Sequence, residues 1–524
     1  ADDIILTLKK TRRPDDWVFK VFKFNMSYLL FVSPLIVLVF CSYRTYSISE
    51  HPLLLIISFD GFRYNYFDRN LTPELLNLRV NGTYSKYMTS VFPTKTFPNH
   101  FSIATGMYVD VHGVLDNKVF DSSLNRYLTY SYELFHYNKD IVPIWTLNEK
   151  KGDGRHTGCM MWPGSNYEYQ GTTIKHFQIY NESIEWKERV DRIISWFLDS
   201  EEPINLGMMY FEQPDLIMHT FGPDSPQLNQ QLARINLIVE YLIDRIKNSE
   251  LLGKLNVIML SDHGGQAVPY THVIDLNYYL DNSTYSMYGV SPNLQIYPNP
   301  GKYDEVLNSL RKGAEKSGHF FVFTRDEIHE QWHYKDSGRC PPIFIVADVS
   351  YVFNDLLVNI GKYKKKSPHI KDFSNSSFGT HGYDPLLENM RAFFMAFGPL
   401  IKQNHTVAPF VNIDLYPLFA ELLDLELPLT KPNGSFIFVE DILNIKISES
   451  YTDTGPTIYI IAGVIIGALC LIVVISIILH LKRIESLKQR KSSLSSYGVL
   501  AGSEESSQNF EGSKLLVTSE FEDD

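Results

Sequence analysis

Two apolar runs in this chain stop abruptly at acidic residues. Leu53 to Phe59 is aliphatic or aromatic except for Ser58 and ends at Asp60-Gly61, while Asn256 to Leu260 passes through Ser261 into Asp262-His263-Gly264. A short continuous apolar run bounded by glycine reads as a strand buried on both faces, as in a parallel sheet. The acid after each run then falls at the carboxyl end of its strand, where the loops of an open α/β sheet converge and where such sheets build their sites. A third strand-like run, Asn205 to Glu212, leads into Asp215 and His219, whose spacing of four lets two side chains converge on one ion. His381, in Gly-Thr-His-Gly-Tyr-Asp, supplies a late imidazole. One Asp at a strand end is ordinarily a turn or cap residue, and one His a hydrogen-bonded side chain. Asp60, Asp215, Asp262, His219, His263 and His381 together form the donor list of a two-metal hydrolase.

Further strands are expected at His156 to Trp162 and Ala392 to Phe397, and helices at Ser183 to Leu198 and from Ser225, where Pro226 follows a serine cap. Alternating strands and helices imply an α/β fold, a mostly parallel central sheet with helices on both faces. With 14% aromatic and 21% charged residues, positions 50 to 440 suit one domain with insertions around a large core. The net charge of -12 argues against nucleic-acid polymers as partners, which bind basic surfaces.

Phe92-Pro-Thr-Lys-Thr-Phe-Pro-Asn-His100 offers a nucleophile. Thr96 stands just before a helix-like stretch ending at Gly106, where free backbone amides favour a phosphate group. A threonine hydroxyl becomes a competent nucleophile at neutral pH when a divalent metal lowers its pKa.

The segments Ser-Phe-Asp-Gly-Phe-Arg from Ser58, Pro-Thr-Lys-Thr-Phe-Pro-Asn-His from Pro93, Asp-Asn-Lys-Val-Phe-Asp from Asp116, Trp-Pro-Gly-Ser from Trp162, Pro214-Asp215 with His219, Ser-Asp-His-Gly from Ser261 and His-Gly-Tyr-Asp from His381 occur in this order. Together they resemble the ectonucleotide pyrophosphatase/phosphodiesterase family of the alkaline phosphatase superfamily, over roughly residues 50 to 440. The resemblance implies two Zn2+ ions, one held by Asp215, His219 and His381, the other by Asp60, Asp262, His263 and the Thr96 oxygen. It makes Asn117 a donor to a phosphoryl oxygen and Lys95 a substrate neighbour of the nucleophile. Phe97 and Tyr180 match aromatics that sandwich a base, and Asn166 stands on the base or sugar side, where relatives commonly have Asp. Other departures are Met218 in place of the usual Gly before His219, Gly265 in place of Met after Ser-Asp-His-Gly, and Pro385 after His-Gly-Tyr-Asp. Met218 is expected to crowd the turn beside His219.

The implied activity is cleavage of phosphoanhydride or phosphodiester bonds of extracellular nucleotides, such as a dinucleoside polyphosphate, NAD or a nucleoside triphosphate, to a 5′-monophosphate through a nucleotidyl-threonine. Two alternatives stay open: a choline-phospholipid phosphodiesterase on the same scaffold, and a catalytically silent adhesion or receptor protein. A sulfatase would need Cys-x-Pro-x-Arg, and Cys340-Pro-Pro-Ile-Phe lacks the arginine.

The ends bear on location. Residues 1–25 precede Met26 as upstream sequence or a cytosolic lead, and 26–48, with the apolar Tyr28 to Cys41, read as a signal peptide or signal anchor. An extracellular phosphodiesterase domain is expected over 49–455 and a transmembrane helix over 456–481, where Thr457 to Leu481 is uncharged and Lys482, Arg483, Lys488, Arg490 and Lys491 follow. Residues 482–524 are then a cytosolic tail. This arrangement resembles the short membrane-anchored members, types four and five, and implies a type I single-pass protein of the plasma membrane. Tyr497-Gly-Val-Leu500, and Leu515-Leu516 after Glu511, resemble signals read by clathrin adaptors, with endosomal cycling as the consequence. Asn70, Asn81, Asn181, Asn282, Asn375, Asn404 and Asn433 open glycosylation sequons, all within the expected outer domain. Cys159 and Cys340 allow at most one disulfide there, and Cys159 sits in a core-like strand.

Overall fold

The computed structural model describes residues 48–368, 370–444 and 469–488. Its centre is an eight-stranded sheet of β1 (Leu53–Phe59), β2 (Thr83–Ser85), β3 (Thr157–Met160), β4 (His176–Gln178), β5 (Leu206–Phe211), β6 (Leu255–Leu260), β7 (Phe394–Phe397) and β8 (His405–Val407). The strand order is β8-β2-β7-β6-β1-β5-β3-β4. Only β7 runs against its neighbours; every other pairing is parallel. The apolar runs named above therefore do become sheet strands, and the three longest lie side by side.

Strand alternation divides the aliphatic residues between two cores. Leu54 and Ile56 of β1, with Met208, Ile258 and Leu260, face α1 (Thr96–Thr105), α2 (Ile144–Lys151) and α6 (Leu415–Leu422). Leu53, Leu55 and Ile57, with Met209, Val257 and Met259, face α3 (Trp186–Phe197) and α5 (Pro226–Lys247). Fully buried, the strands have no polar face to alternate with, which is why they read as continuous apolar runs. Gly158 of β3 and Gly207 of β5 pair in register and leave a flat platform for α3. A Cβ at Gly207 would lie 2.7 Å from the Phe197 ring, and one at Gly158 equally close to the Trp196 ring.

Helix boundaries follow local chemistry. The Ser225 hydroxyl accepts from Leu228 N at 3.1 Å ahead of Pro226, so α5 starts where its cap and proline indicate. By contrast α3 starts at Trp186, later than Ser183, because the Ser183 amide and hydroxyl both bond Asn181 Oδ1 in a turn. A second, antiparallel sheet of Tyr285–Val290, Asn293–Pro298, Phe320–Thr324 and Ile343–Ala347 has its own apolar core under helix Tyr303–Ser317. Cys159 and Cys340 are both buried free thiols.

The expected transmembrane helix is corrected. Among the described residues, no helix is long and apolar enough to cross a membrane. Residues 469–488 are helical, but Lys482, Arg483, Glu485 and Lys488 fill the last turns. The remainder of that expected segment, the leader over 1–47 and the adaptor-like motifs near Tyr497, Leu515 and Leu516 lie outside the described residues. By internal packing the chain divides into Ala1–Ser448 and Glu449–Asp524, and both sheets belong to the first unit.

Candidate metal centre

Because β1 lies between β5 and β6, the residues beyond these three strands meet at one sheet edge. Asp60 follows β1; β5 runs through Glu212-Gln213-Pro214 into α4 (Asp215–Phe221); β6 runs through Ser261 into Asp262-His263. The main chains are tied together there, Asp60 N donating to Phe211 O at 2.9 Å and Asp215 N to Asp60 O at 3.0 Å. Gly61 N donates to Asp262 Oδ1 at 3.1 Å. Gly61 has φ +69°, and a Cβ on it would lie 2.8 Å from Asp215 Cβ, so both the conformation and the close approach require glycine.

Each expected histidine ligand uses its Nδ1 on a backbone carbonyl: His219 on Gly379 O at 2.9 Å, His263 on Gly264 O at 2.8 Å and His381 on Thr94 O at 2.8 Å. A carbonyl only accepts, so each Nδ1 carries a proton, and Nε2 is left as the atom that would give its lone pair to a cation. The three Nε2 atoms turn toward the carboxylates. His219 Nε2 is 3.1 Å from Asp215 Oδ2 and 3.2 Å from His381 Nε2. His263 Nε2 is 3.0 Å from Asp262 Oδ2 and 3.5 Å from Asp60 Oδ1, with its ring stacked on His381 at 3.7 Å.

Asp60 Oδ1, Asp215 Oδ1, Asp262 Oδ2 and His263 Nε2 are buried and have no hydrogen-bond partner, since the short approaches among them are not aligned as hydrogen bonds. Buried polar atoms left unpartnered are costly, and four gathered in one place are a donor set that a cation would satisfy. Burial pushes the Asp60 carboxyl well up, reinforced by the charges of Asp262 and Asp215. Burial also opposes ionisation of Asp215 and Asp262, but neighbouring imidazoles outweigh it: His219 and His381 hold Asp215 down, and His263 and His100 hold Asp262 down to about 2. Two clusters have mutually close ligand atoms, Asp215 with His219 and His381, and Asp60 with Asp215 and His263. The donor set fits a metal pair. Asp215 belongs to both clusters, whereas Asp262, named for the second set by resemblance, is outside both; its Oδ1 accepts from Gly61 N and His263 N.

The Ser90–Thr96 loop is stitched to this centre. Ser90 Oγ donates to Asp262 O at 2.6 Å, and Thr94 supplies the carbonyl that orients His381. Thr96 is itself the first residue of α1, with Lys95 as the cap position. One turn on, His100 donates from Nδ1 to Thr96 O at 2.8 Å and accepts at Nε2 from Ser58 Oγ at 2.9 Å, with Asp262 Oδ2 3.5 Å away. Asn117 Oδ1 accepts from Phe97 N at 2.8 Å, which fixes its amide at the start of α1 with the NH2 group directed elsewhere. Lys95 is buried, and its ammonium is engaged by Asp116 and by Val290 O at 2.5 Å. It forms a buried ion pair and a carbonyl contact that join the loop to the second sheet.

Phe97 packs edge-on against Tyr130 at 5.5 Å, and Tyr130 OH donates to Asn166 Oδ1. Tyr180 is half exposed, 6.3 Å from the Tyr210 ring, and no ring contact joins it to Phe97 among the described residues. Phe97 and Asn166 thus share Tyr130 as a neighbour, whereas Tyr180 neighbours Tyr210. Tyr210 OH donates to Asp60 Oδ2 at 2.6 Å. Sequence reasoning missed Tyr210, Tyr130 and His100; a polar ring inside the β5 run, in register with Ser58, was the available signal for Tyr210.

The family model for type I phosphodiesterase / nucleotide pyrophosphatase matches residues 54–384, and the chain belongs to that family of metal-dependent hydrolases. It is 35% identical over 415 residues to human ectonucleotide pyrophosphatase/phosphodiesterase family member 5, covering 77% of this chain and 81% of that protein. It is 32% identical over 396 residues to human bis(5'-adenosyl)-triphosphatase ENPP4, covering 74% and 82%. Among solved structures, an inactive variant of murine member 5 in complex with AMP superposes with a TM-score of 0.67 at 34% identity, covering 75% of this chain and all of that one. The likeness extends to the short members, types four and five.

Two departures noted in the sequence prove to be one. The Met218 side chain, fully buried, fills the space beside Gly265 and Gly379: a Cβ at Gly265 would lie 1.8 Å from Met218 Sδ, and one at Gly379 2.7 Å from Met218 Cγ. Methionine before His219 thus depends on glycine after Ser-Asp-His-Gly. Gly265→Ala should cost about 1–3 kcal/mol by overpacking. Adding Met218→Ala should recover part of that loss, a coupling of about 0.5–3 kcal/mol in urea unfolding. Strictly additive losses would show the two positions to be independent.

Proposed function

We propose that this chain is a two-zinc nucleotide phosphodiesterase/pyrophosphatase with Thr96 as its nucleophile, releasing a 5′-monophosphate. The observation that carries the reading is the set of buried Asp and His donors whose outer atoms are pinned and whose inner atoms lack partners. Asp215, His219 and His381 would hold one ion and Asp60, Asp262 and His263 the other, with Asp215 close enough to serve both. When bound, the ions would supply positive charge for the phosphoryl oxygens and lower the pKa of a neighbouring hydroxyl.

The protein's own groups account for the rest. Thr96 Oγ1 forms a bond to phosphorus as the bond to the leaving oxygen breaks, and water then cleaves the nucleotidyl-threonine. The amino-terminal position of Thr96 in α1 supports this, since the positive end of the helix dipole favours the anionic phosphoryl group, although Phe97 N is taken by Asn117 Oδ1 and Pro98 has no N–H. Asn117, oriented by Phe97 N, offers its NH2 group to a phosphoryl oxygen as negative charge builds. Phe97, Tyr130 and Asn166 form one wall of a base pocket and Tyr180 the other. Bis(5'-adenosyl)-triphosphatase among the relatives, and AMP in the structure of another, favour nucleotides over a choline phospholipid.

Thr96→Ala should abolish turnover of a nitrophenyl nucleotide ester, by several orders of magnitude, in protein that remains folded, because covalent catalysis and positioning are lost together. Activity within about tenfold of wild type would remove Thr96 from the mechanism. Chelation followed by dialysis should inactivate the enzyme and lower its Tm, since the buried carboxylates then lose their counter-charge, and zinc should restore both. A fully active protein with no metal by elemental analysis is the result that would reject the metal pair.

Work in an extracytoplasmic compartment is part of the proposal. Among the described residues the sequon asparagines, Asn70, Asn81, Asn181, Asn282, Asn375, Asn404 and Asn433, are all exposed, as oligosaccharide transfer requires. Material made in a secretory cell should gain electrophoretic mobility on deglycosylation; unchanged mobility would count against this location.

A further inference from the structure

His136, outside the metal centre, is held in a way that only one protonation state satisfies. Its Nδ1 lies 2.8 Å from Tyr132 O and its Nε2 2.8 Å from Glu168 O. Carbonyl oxygens only accept, so both ring nitrogens must donate, and only the imidazolium carries two N–H groups. Neutral imidazole would turn a lone pair against one of the two carbonyls. The ring is also sandwiched, stacked on Tyr132 at 3.6 Å and on Tyr169 at 4.3 Å, with Tyr167 edge-on at 6.0 Å. Faces of tyrosine favour a cation between them. Ionisable side chains on the segments it joins include Tyr132, Glu133, Tyr137, Tyr167, Glu168 and Tyr169; Arg126 pairs with Glu133 at 3.0 Å, and the Arg339 guanidinium lies over the Tyr137 ring and donates to Glu133 O and Leu134 O.

The two segments that His136 joins carry one wall of the pocket. Tyr130 precedes the helix Tyr132–Phe135, and its hydroxyl sits between Gly164 N, which donates to it at 3.1 Å, and Asn166 Oδ1, which accepts from it. Tyr169 OH returns to Gly164 O at 2.9 Å. Tyr167 packs on Tyr130 at 5.8 Å and on Phe135 at 6.1 Å, and Phe97 packs on both Tyr130 and Phe135. A clasp between Tyr132 and Glu168 therefore sets where Asn166 and Tyr130 stand relative to Phe97.

We propose that His136 is a positioning residue that, as an imidazolium, clasps the Gly164–Tyr169 loop to the Tyr132–Phe135 helix and so makes nucleotide affinity fall as pH rises. This rests on reading Phe97, Tyr130 and Asn166 as the base side of the pocket. Protonated, the clasp is closed and KM is low; deprotonated, one carbonyl contact is lost and the wall loosens. The metal centre lies on other elements, so kcat is not expected to follow.

The test uses the metal-loaded full chain. In wild type with isotope-labelled histidine, the His136 ring should show two protonated nitrogens by NMR at pH 6. KM for a nitrophenyl nucleotide ester should rise about three- to tenfold from pH 6 to 8, with kcat unchanged apart from any trend shared by a nitrophenyl ester lacking a base. His136→Gln should hold KM at the high value across this range, and His136→Arg, which keeps charge and several N–H donors, should flatten the profile at a lower one. A singly protonated ring at pH 6, or a wild-type KM profile retained in His136→Gln, would overturn the clasp. Asn166→Ala separates the two readings: if it leaves nucleotide KM unchanged, the base-side assignment fails and the ring's protonation state alone decides the clasp.

Discussion

Three carboxylates gathered at the edge of a buried sheet repel one another, and much of this structure can be understood as the means of keeping them together. Two unit charges 4 Å apart cost about 4 kcal/mol at an effective dielectric of ~20, and Asp60, Asp215 and Asp262 meet where water is excluded. The backbone answers first. Gly61 N and His263 N donate to Asp262 Oδ1, Asp215 N donates to the Asp60 carbonyl, and Gly61 adopts a left-handed turn that no side chain would fit. Imidazoles answer next, each fixed by a carbonyl behind it. Tyr210 answers last, its phenol held protonated by burial and by the Asp60 charge and donating to Asp60 Oδ2. What remains unanswered is a small group of inward-facing atoms, and the chemistry follows from what they attract.

Ligands that terminate strands were legible because two requirements coincide in one stretch of chain. A strand buried on both faces has to be apolar throughout, and the residue that ends it has to be one the site can use, so Asp60 and Asp262 stand out against their runs. Partnerships between distant residues left no such mark. Lys95 looks like an exposed or phosphate-facing charge until Asp116 and the Val290 carbonyl enclose it, and the second contact comes from a sheet inserted almost two hundred residues later. Met218 and Gly265 each looked like a separate departure from the family pattern, although one volume is shared between them. Hydropathy misled in one place. The uncharged run from Thr457 to Leu481 reads as a span, whereas no helix among the described residues is long and apolar enough to be one.

The nucleophile loop has another kind of rigidity. Ser90, Thr94 and His100 each tie it to a neighbour of the metal ligands, through Asp262 O, through the His381 ring and through Ser58. In the proposed mechanism, Thr96 gains from being placed by several short bonds on different elements, because no single thermal excursion loosens all of them. Of these polar residues, Ser90, Ser58 and His100 would pass in the sequence for ordinary buried ones; the pattern of their partners gives them meaning.

The substrate walls are built differently, and the difference has a physical basis. The metal centre is held by strand ends whose backbone bonds belong to the central sheet, so moving it would disturb the fold. Phe97 comes from α1, but Tyr130, Asn166 and Tyr180 stand on connecting segments held by side-chain contacts, several of them through tyrosine hydroxyls and one through a histidine. Such contacts open at less cost than a sheet, which leaves these segments freer to change than the strand ends. Asparagine at position 166 is an instance. It changes the hydrogen-bonding character of the base side and is satisfied locally by Tyr130, and no strand, helix or metal donor has to shift to accommodate it. Selectivity among nucleotides is therefore to be sought in the loops, whereas capacity for phosphoryl transfer resides in the sheet edge.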